Sequence, residues 1–373
     1  MKKTSLTLIK KDLHFSGGLE KVTLRIVHTF IKKGIHVSLY TSSTASLPCF
    51  VFSYKPKGLL KVQRLKDFDA WLSEKTAQDS TVFSMDRCSS QTHHRAGNGV
   101  HAAYLDLRSE IEGPLSRLSF FLNPLHRFQL KLEKQTFESS KTQVIIVNSD
   151  MVRQQILKYY KTDPSKIHVV HNGVEWKEFE ADFNDSIANR KKYAIDLGLD
   201  PSVFQFLFVG HNFKRKGLDI LLEALSLLRS KNFHLSIVGH DKHINSYKLL
   251  ARRLGLESRV TFFGSEPSSR PYYLAADSLV IPSMYDPFAN VTIEALALGL
   301  FVVSSKMNGG HEVLEPCSGA IIQNSHNAEE LAAGLEIALD NPKEPLRAAR
   351  IRSTVSHLDY SLQLEKICDL CLG

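Results

Sequence analysis

Cysteine is scarce and scattered: five residues, at 49, 88, 317, 368 and 371. An odd number with only one C-x-x-C pair excludes a disulfide-stapled scaffold and offers no zinc-ligand spacing. Cys368 and Cys371 read as small apolar residues one turn apart on a terminal helix. Long hydrophobic runs are also missing. Nothing approaches the roughly eighteen apolar residues of a membrane-spanning helix. The short apolar stretch behind Lys2 and Lys3 is too brief for a signal peptide and reads as a first strand, so the chain is expected to act in the cytoplasm. There is no tandem repeat and no low-complexity tract. At 373 residues, 43% hydrophobic and 23% charged, the chain has the composition of a globular protein and the length of two domains.

Charge is unevenly placed. The formal net charge is +8, and residues 1–185 hold 27 basic and 19 acidic side chains, so the remainder is balanced at 20 of each. The whole excess lies in the first half, which points that half toward an anionic partner: a membrane surface, a phosphorylated acceptor or nucleic acid.

Short apolar runs alternate with amphipathic stretches. In the second half, strands are expected at 203–209, 233–238, 260–263, 278–281, 301–305 and 319–322, with helices at 217–228, 245–254 and 290–298 between them. In the first half, strands are expected at 5–9, 36–40, 82–84, 144–147 and 167–170. A helix is expected at 19–33, and a long helical region at 111–141 broken by Pro114 and Pro124. Continuous apolar strands alternating with helices predict parallel sheets with right-handed crossovers. The fold class is therefore α/β, two doubly wound Rossmann-like domains whose strand C-terminal ends line a common ligand cleft. Their junction falls within 171–190. The expected division is 1–178, 179–356, and a terminal helix at 357–373 that crosses back to the first domain.

Three segments carry candidate chemistry. In Tyr285-Asp286-Pro287-Phe288-Ala289-Asn290-Val291-Thr292-Ile293-Glu294, a loop acid and a helix acid lie eight positions apart. The amides of Phe288, Ala289, Asn290 and Val291 at the helix start offer donors to an anion. Gly210-His211-Asn212-Phe213-Lys214-Arg215-Lys216-Gly217 packs three cations into a strand-to-helix turn, suited to a leaving diphosphate. Ser16-Gly17-Gly18 follows the first strand, where paired glycines admit a close backbone approach. No G-x-x-x-x-G-K-[ST] and no G-x-G-x-x-G at a first turn is present, which argues against P-loop and nicotinamide or flavin enzymes.

Together with Val147-Asn148-Ser149 and His171-Asn172-Gly173-Val174, these segments resemble, over essentially the whole chain, the retaining glycosyltransferases of family 4 with the GT-B fold. The resemblance implies that Glu294 holds the nucleotide ribose and that Arg215 and Lys216 neutralise the diphosphate. Gly17 and Gly18 would line the phosphate and acceptor side. Asp286 stands where the family usually has Glu, against the donor-sugar hydroxyls. His101, in Arg95-Ala96-Gly97-Asn98-Gly99-Val100-His101, best matches the residue near the anomeric centre, with His93 and His94 close by. No metal or other cofactor is implied; a nucleotide sugar, UDP-glucose by preference, is the co-substrate.

The region around His101 is most similar to bacterial lipopolysaccharide-core glucosyltransferases. That implies a lipid-linked or phosphorylated glycan acceptor. Residues 113–131 mix aromatics with cations as an interfacial helix does, so peripheral contact with the anionic inner face of the cytoplasmic membrane is expected. Two other functions fit the same residues: a nucleotide-sugar epimerase on this fold, or a non-enzymatic binder of anionic polymer. No recognisable nucleic-acid motif supports a nucleic-acid partner.

Overall fold

The computed structural model describes residues 5–13, 18–44, 47–230 and 232–373, with backbone only at 18–21. Gly17 lies outside the described residues; Gly18 opens the first helix. The chain divides into two compact units, 1–171 with 362–373, and 172–361.

The first unit holds seven strands: β1 (Ser5–Ile9), β2 (His36–Thr41), β3 (Phe50–Ser53), β4 (Val82–Ser84), β5 (His93–Arg95), β6 (Val144–Val147) and β7 (Ile167–Val169). They form one parallel sheet in the order β3-β2-β1-β4-β5-β6-β7. Its helices are α1 (Gly18–Lys32), α2 (Lys61–Lys75), α3 (His101–Glu112), α4 (Pro114–Leu122), α5 (Pro124–Glu138) and α6 (Asp150–Tyr159).

The second unit contains α7 (Glu178–Asp196), β8 (Phe204–Val209), α8 (Phe213–Lys216), α9 (Leu218–Leu227), β9 (Phe233–Val238) and α10 (Ile244–Arg253). It continues with β10 (Val260–Gly264), α11 (Arg270–Ala275), β11 (Ser278–Ile281), α12 (Asn290–Ala297), β12 (Phe301–Ser305) and β13 (Gly319–Ile322). Then come α13 (Ala328–Leu339) and α14 (Pro345–Thr354); α15 (Tyr360–Leu372) ends the chain. Its sheet is also parallel, in the order β10-β9-β8-β11-β12-β13.

The packing follows from the pattern. Phe206, Leu207 and Phe208 of β8 and Leu279, Val280 and Ile281 of β11 are consecutive and all buried, because helices cover both faces of the sheet. On α1, Val22, Ile26, Val27 and Phe30 share the buried stripe that a 3.6-residue period produces. Cys368 and Cys371 are free thiols buried on one face of α15.

Several elements lie outside the stretches expected from the sequence, among them α3, α11, α13 and α14, and four others show why. β5 is His-His-Arg, polar yet buried because it lies between β4 and β6. β3 is an edge strand with little buried surface. Helix α2 buries only Phe68 and Leu72. The junction expected within 171–190 runs into the 19-residue helix α7, which buries only Ser186 and Ala194.

In both sheets the order reverses beside the first strand, between β1 and β4 and between β8 and β11. Loops leaving those strands diverge and open a crevice at their C-terminal ends. At the second of these points Gly217 has φ +77°, and a Cβ there would lie 2.2 Å from the Pro282 carbonyl oxygen. Replacing Gly217 with Ala is expected to destabilise the second unit by about 2 kcal/mol or more. A urea denaturation midpoint equal to that of wild type would contradict this.

Candidate functional site

The turn after β8 and the loop after β11 meet at a buried ion triplet. Lys216 passes beneath Gly210, where a Cβ would press on its side chain at 3.2 Å, and sets Nζ 2.8 Å from Asp286 Oδ2. Arg215 places a guanidinium nitrogen 3.1 Å from the same oxygen and 2.8 Å from the Tyr285 carbonyl. Asn212, in the left-handed region at φ 57°, accepts the Arg215 amide through its side chain and aims the turn. Lys216 and Asp286 are 7% and 8% exposed. Burial opposes ionisation of Asp286, but Lys216 and then Arg215 outweigh it and hold the carboxyl below its ordinary range. The triplet carries one net positive charge. Asp286 thus sits between two cations rather than standing alone in a loop.

The backbone of Asp286 is clamped as well. Its amide donates to Met307 O at 2.9 Å, and its carbonyl accepts from Gly309 at 2.9 Å. Asn308, fully buried, accepts the Ala289 amide at 2.9 Å and the Gly310 amide at 3.1 Å on Oδ1. Its Nδ2 donates to Thr292 and Ser304, each at 3.0 Å. The Ala289 amide, expected to be free for an anion, is therefore taken. The first-turn amides of α12 at Asn290 and Val291 have no intrahelical acceptor by geometry. The sequence reading missed Asn308, although Asn308-Gly309-Gly310 is a turn signal at the end of a strand.

Glu294 is half-buried on α12 and accepts the Tyr273 hydroxyl at 2.9 Å. Burial, then the Glu294 charge, raises Tyr273 well above its usual value, so the phenol stays a donor. Asn172 donates to the Asn290 side chain at 2.7 Å, which ties the His171–Val174 turn to the start of α12.

The first unit builds a separate cluster. His101 is the first residue of α3, not a loop residue. Its Nε2 lies 3.0 Å from His126 Nδ1 on α5. Burial, reinforced by the Arg87 charge, pushes the His101 imidazole down to about 4. Glu133, fully buried on α5, was not found from sequence. It accepts the His101 amide at 2.6 Å, Arg87 Nε at 2.7 Å, the Ala102 amide at 3.0 Å and the Tyr160 hydroxyl at 2.6 Å. A buried carboxylate from another helix thus caps α3 and fixes where His101 begins. His93 and His94 are buried strand residues of β5.

Beside this cluster is a cavity of about 560 Å³, lined by Asp12, Ser42, Asp86 and Arg87 beyond the strand ends, Lys61 and Arg64 of α2, and Gln129 of α5. Asp67 and Asp69 stand at Asp-x-Asp spacing on α2. Their carboxylates are occupied by Tyr54 and the Lys57 amide, and by Ser89, respectively. Among the described residues no group of three or more His, Cys, Asp or Glu gathers to hold a metal.

Comparison with known families matches residues 91–177 to Glycosyltransferase Family 4 and residues 189–353 to Glycosyl transferases group 1. The chain is a glycosyltransferase of this type. It is 28% identical over 371 residues to the lipopolysaccharide glucosyltransferase WaaG of Escherichia coli K12, covering 96% of each chain. It is 34% identical over 216 residues to the D-inositol 3-phosphate glycosyltransferase of Mycolicibacterium gilvum, covering 55% of this chain and 46% of that one. The WaaG crystal structure superposes with a TM-score of 0.82 at 24% identity over 99% of this chain and all of that one. Anabaena HepE in complex with UDP and glucose gives 0.68 at 16% identity, covering 98% of each. The enzyme therefore has the GT-B fold of two Rossmann-like domains.

Two outcomes follow from these networks. Lys216→Met leaves Asp286 with one partner and should lower stability by about 2–4 kcal/mol, and adding Asp286→Asn should restore part of it. Because the folded-state value of His101 lies below its ordinary 6.5, protonation favours unfolding. Its contribution is full above pH 6.5 and is lost as pH falls toward 4. The urea midpoint of wild type should drop over that window, and His101→Gln should drop less; parallel slopes would contradict the assignment.

Proposed function

We propose that the enzyme transfers a hexose, glucose from UDP-glucose, to a lipopolysaccharide-core or other cell-envelope glycan, with retention of anomeric configuration. The observation that carries this reading is the near-full-length similarity to WaaG, together with a cationic site at the strand reversal of the second unit. The donor belongs to the second unit. Glu294, beside the Tyr273 hydroxyl, takes the ribose diol. Arg215, Lys216 and the first amides of α12 take the diphosphate.

When the sugar C1–O bond breaks, negative charge grows on the diphosphate. Arg215 and Lys216 then gain more from the phosphate than from Asp286 alone, which is the differential binding that lowers a barrier. These fixed cations and dipoles supply the neutralisation that a divalent ion would otherwise give. Asp286, freed in part from its cations, faces the sugar hydroxyls. Gly17 and Gly18 keep the role that the family resemblance implies for them, on the phosphate and acceptor side. His101, neutral near pH 7, acts as a hydrogen-bonding group at the reaction centre rather than as a charge. The acceptor hydroxyl attacks from the face the diphosphate leaves, so the product keeps the donor's configuration.

The enzyme would work in the cytoplasm at the inner face of the membrane, although no described helix is long and apolar enough to cross one. Helix α4 supports this, with Leu115 83% and Phe121 70% exposed beside Arg117. Buried shallowly in a bilayer, such a face adds apolar contact to the attraction of the basic half for anionic lipid.

With UDP-glucose and a truncated core glycan as acceptor, the enzyme should release UDP and form an α-linked glucoside. Glu294→Ala should weaken donor binding by about tenfold to a hundredfold, with Glu294→Gln between it and wild type. Epimer formation without acceptor, or no effect at Glu294, would overturn the reading.

A further inference from the structure

The link between β3 and α2 holds an apolar tip that the donor site and the α4 helix leave unexplained. Leu59 is 94% exposed and Leu60 59% exposed. This is not loose chain. The Leu59 and Leu60 amides both donate to Gln63 Oε1 at 3.0 Å, across Gly58 at φ +127°. One residue before that glycine, the Lys57 amide donates to Asp67 Oδ2 at 2.7 Å. The Tyr54 hydroxyl reaches the same oxygen at 2.9 Å, and the Tyr54 ring stacks on Trp71 with centroids 4.9 Å apart. The turn is stapled at both ends and holds two leucines out in water, an arrangement that wastes their hydrophobic free energy unless something apolar covers them.

The surroundings say what covers them. Residues 47–66 contain Lys55, Lys57, Lys61, Arg64 and Lys66 and not one acid. Lys61 and Arg64 are exposed and lie on the first turns of α2 beside the tip. Two exposed leucines flanked along the chain by the exposed Lys57, Lys61 and Arg64 suit neither a peptide groove nor an acidic small molecule. They suit the interface of an anionic bilayer, where leucines enter the acyl boundary and cations meet lipid phosphates.

Its place in the unit gives the surface a purpose. The 560 Å³ cavity is walled on one side by Pro56, Lys61 and Arg64 at the base of the tip. Leu125 and Gln129 of α5 line it immediately beyond the exposed end of α4. Lys66 also reaches over the Phe128 ring of α5 at 5.5 Å. The residues on either side of the tip, and the first turns of α5 that follow α4, therefore border one cavity.

We propose that the β3–α2 tip is a second lipid-contacting element that acts with α4, so that this cavity opens onto the anionic bilayer surface and receives the saccharide headgroup of a membrane-anchored acceptor. This rests on the reading of the first unit as the acceptor side. A glycan tethered to lipid then enters without leaving the membrane plane, and two contact points fix the orientation that one helix would leave free to roll.

The test is flotation of the full chain with vesicles of equal parts phosphatidylglycerol and phosphatidylcholine, and with pure phosphatidylcholine. Alongside it, transfer is measured to a delipidated, soluble acceptor and to the same acceptor embedded in vesicles. Wild type should float with the anionic vesicles and far less with the neutral ones. Leu59→Asp/Leu60→Asp should lower partitioning by about tenfold or more. Transfer to the embedded acceptor should fall with it, while the thermal midpoint and transfer to the soluble acceptor hold.

The proposal is overturned if the double variant floats as wild type does, or if the lipid charge makes no difference. It is also overturned if sedimentation shows a wild-type dimer that the variant breaks, since a second copy is then the occupant. Phe121→Asp on α4 serves as the parallel arm. Loss of flotation there but not at 59 and 60 leaves α4 as the sole contact and overturns the tip. Absence of transfer to any acceptor, with flotation still responding at 59 and 60, defeats the glycosyltransfer reading and leaves the lipid surface standing.

Discussion

A carboxylate removed from water must find compensating charge, and at Asp286 it finds two cations on one oxygen. That requirement joins the turn after β8 to the loop after β11. The rest of the second unit's site is arranged around the junction: the Tyr285 carbonyl on Arg215, the backbone ladder to Met307 and Gly309, and Asn308 beneath the start of α12. The same device recurs in the first unit. Lys10, beyond β1, lies 3.4 Å from Asp86, beyond β4, and the Lys11 amide donates to that acid at 2.8 Å. In both units a lysine beyond the first strand meets an aspartate beyond the strand across the reversal. The crevice that topology opens is kept polar and charged in each unit by a pair that holds its own walls together.

The two polar hubs behave differently. Asn308 has no charge and satisfies four groups through one amide, so it serves as an internal brace for α12. Glu133 is charged and fully buried, and its stability rests on Arg87 and two helix-end amides whose dipoles favour an anion. Removing one donor from such a cluster leaves an uncompensated charge, whereas a brace like Asn308 fails by packing and lost hydrogen bonds. His101 inherits its position from the charged hub, through its own backbone, and its ring orientation from His126.

What could be read beforehand follows a physical divide. β8, β11 and β12 are runs of apolar side chains buried on both faces, and such runs announce themselves. β5 is buried by its neighbours in the sheet, so His93-His94-Arg95 carries no local mark of a strand. Helix α7 keeps charged residues over much of its surface, and its few apolar contacts did not stand out from a polar junction. The acid spacing from Asp286 to Glu294 and the Arg215-Lys216 turn were legible because they are contiguous. Glu133 and Arg87 are 46 positions apart and Tyr273 and Glu294 are 21 apart, so only the fold brings them together. The Ala289 amide shows the opposite error: a donor that looks available along the chain is claimed by a side chain nineteen residues later.

Helix α15 has a consequence of another kind. Leu362–Gly373 belong to the first unit, and Lys33 holds Asp369 at 2.8 Å. The second unit is thus an uninterrupted segment inserted into the first. During synthesis from the N-terminus, residues 172–361 can close their own core as soon as they leave the ribosome. The first unit, though begun earlier, must wait with part of its surface unsealed until residues 362–373 emerge. Birth order and completion order are reversed, and a chain cut short before residue 362 would carry a finished second unit attached to an unfinished first one.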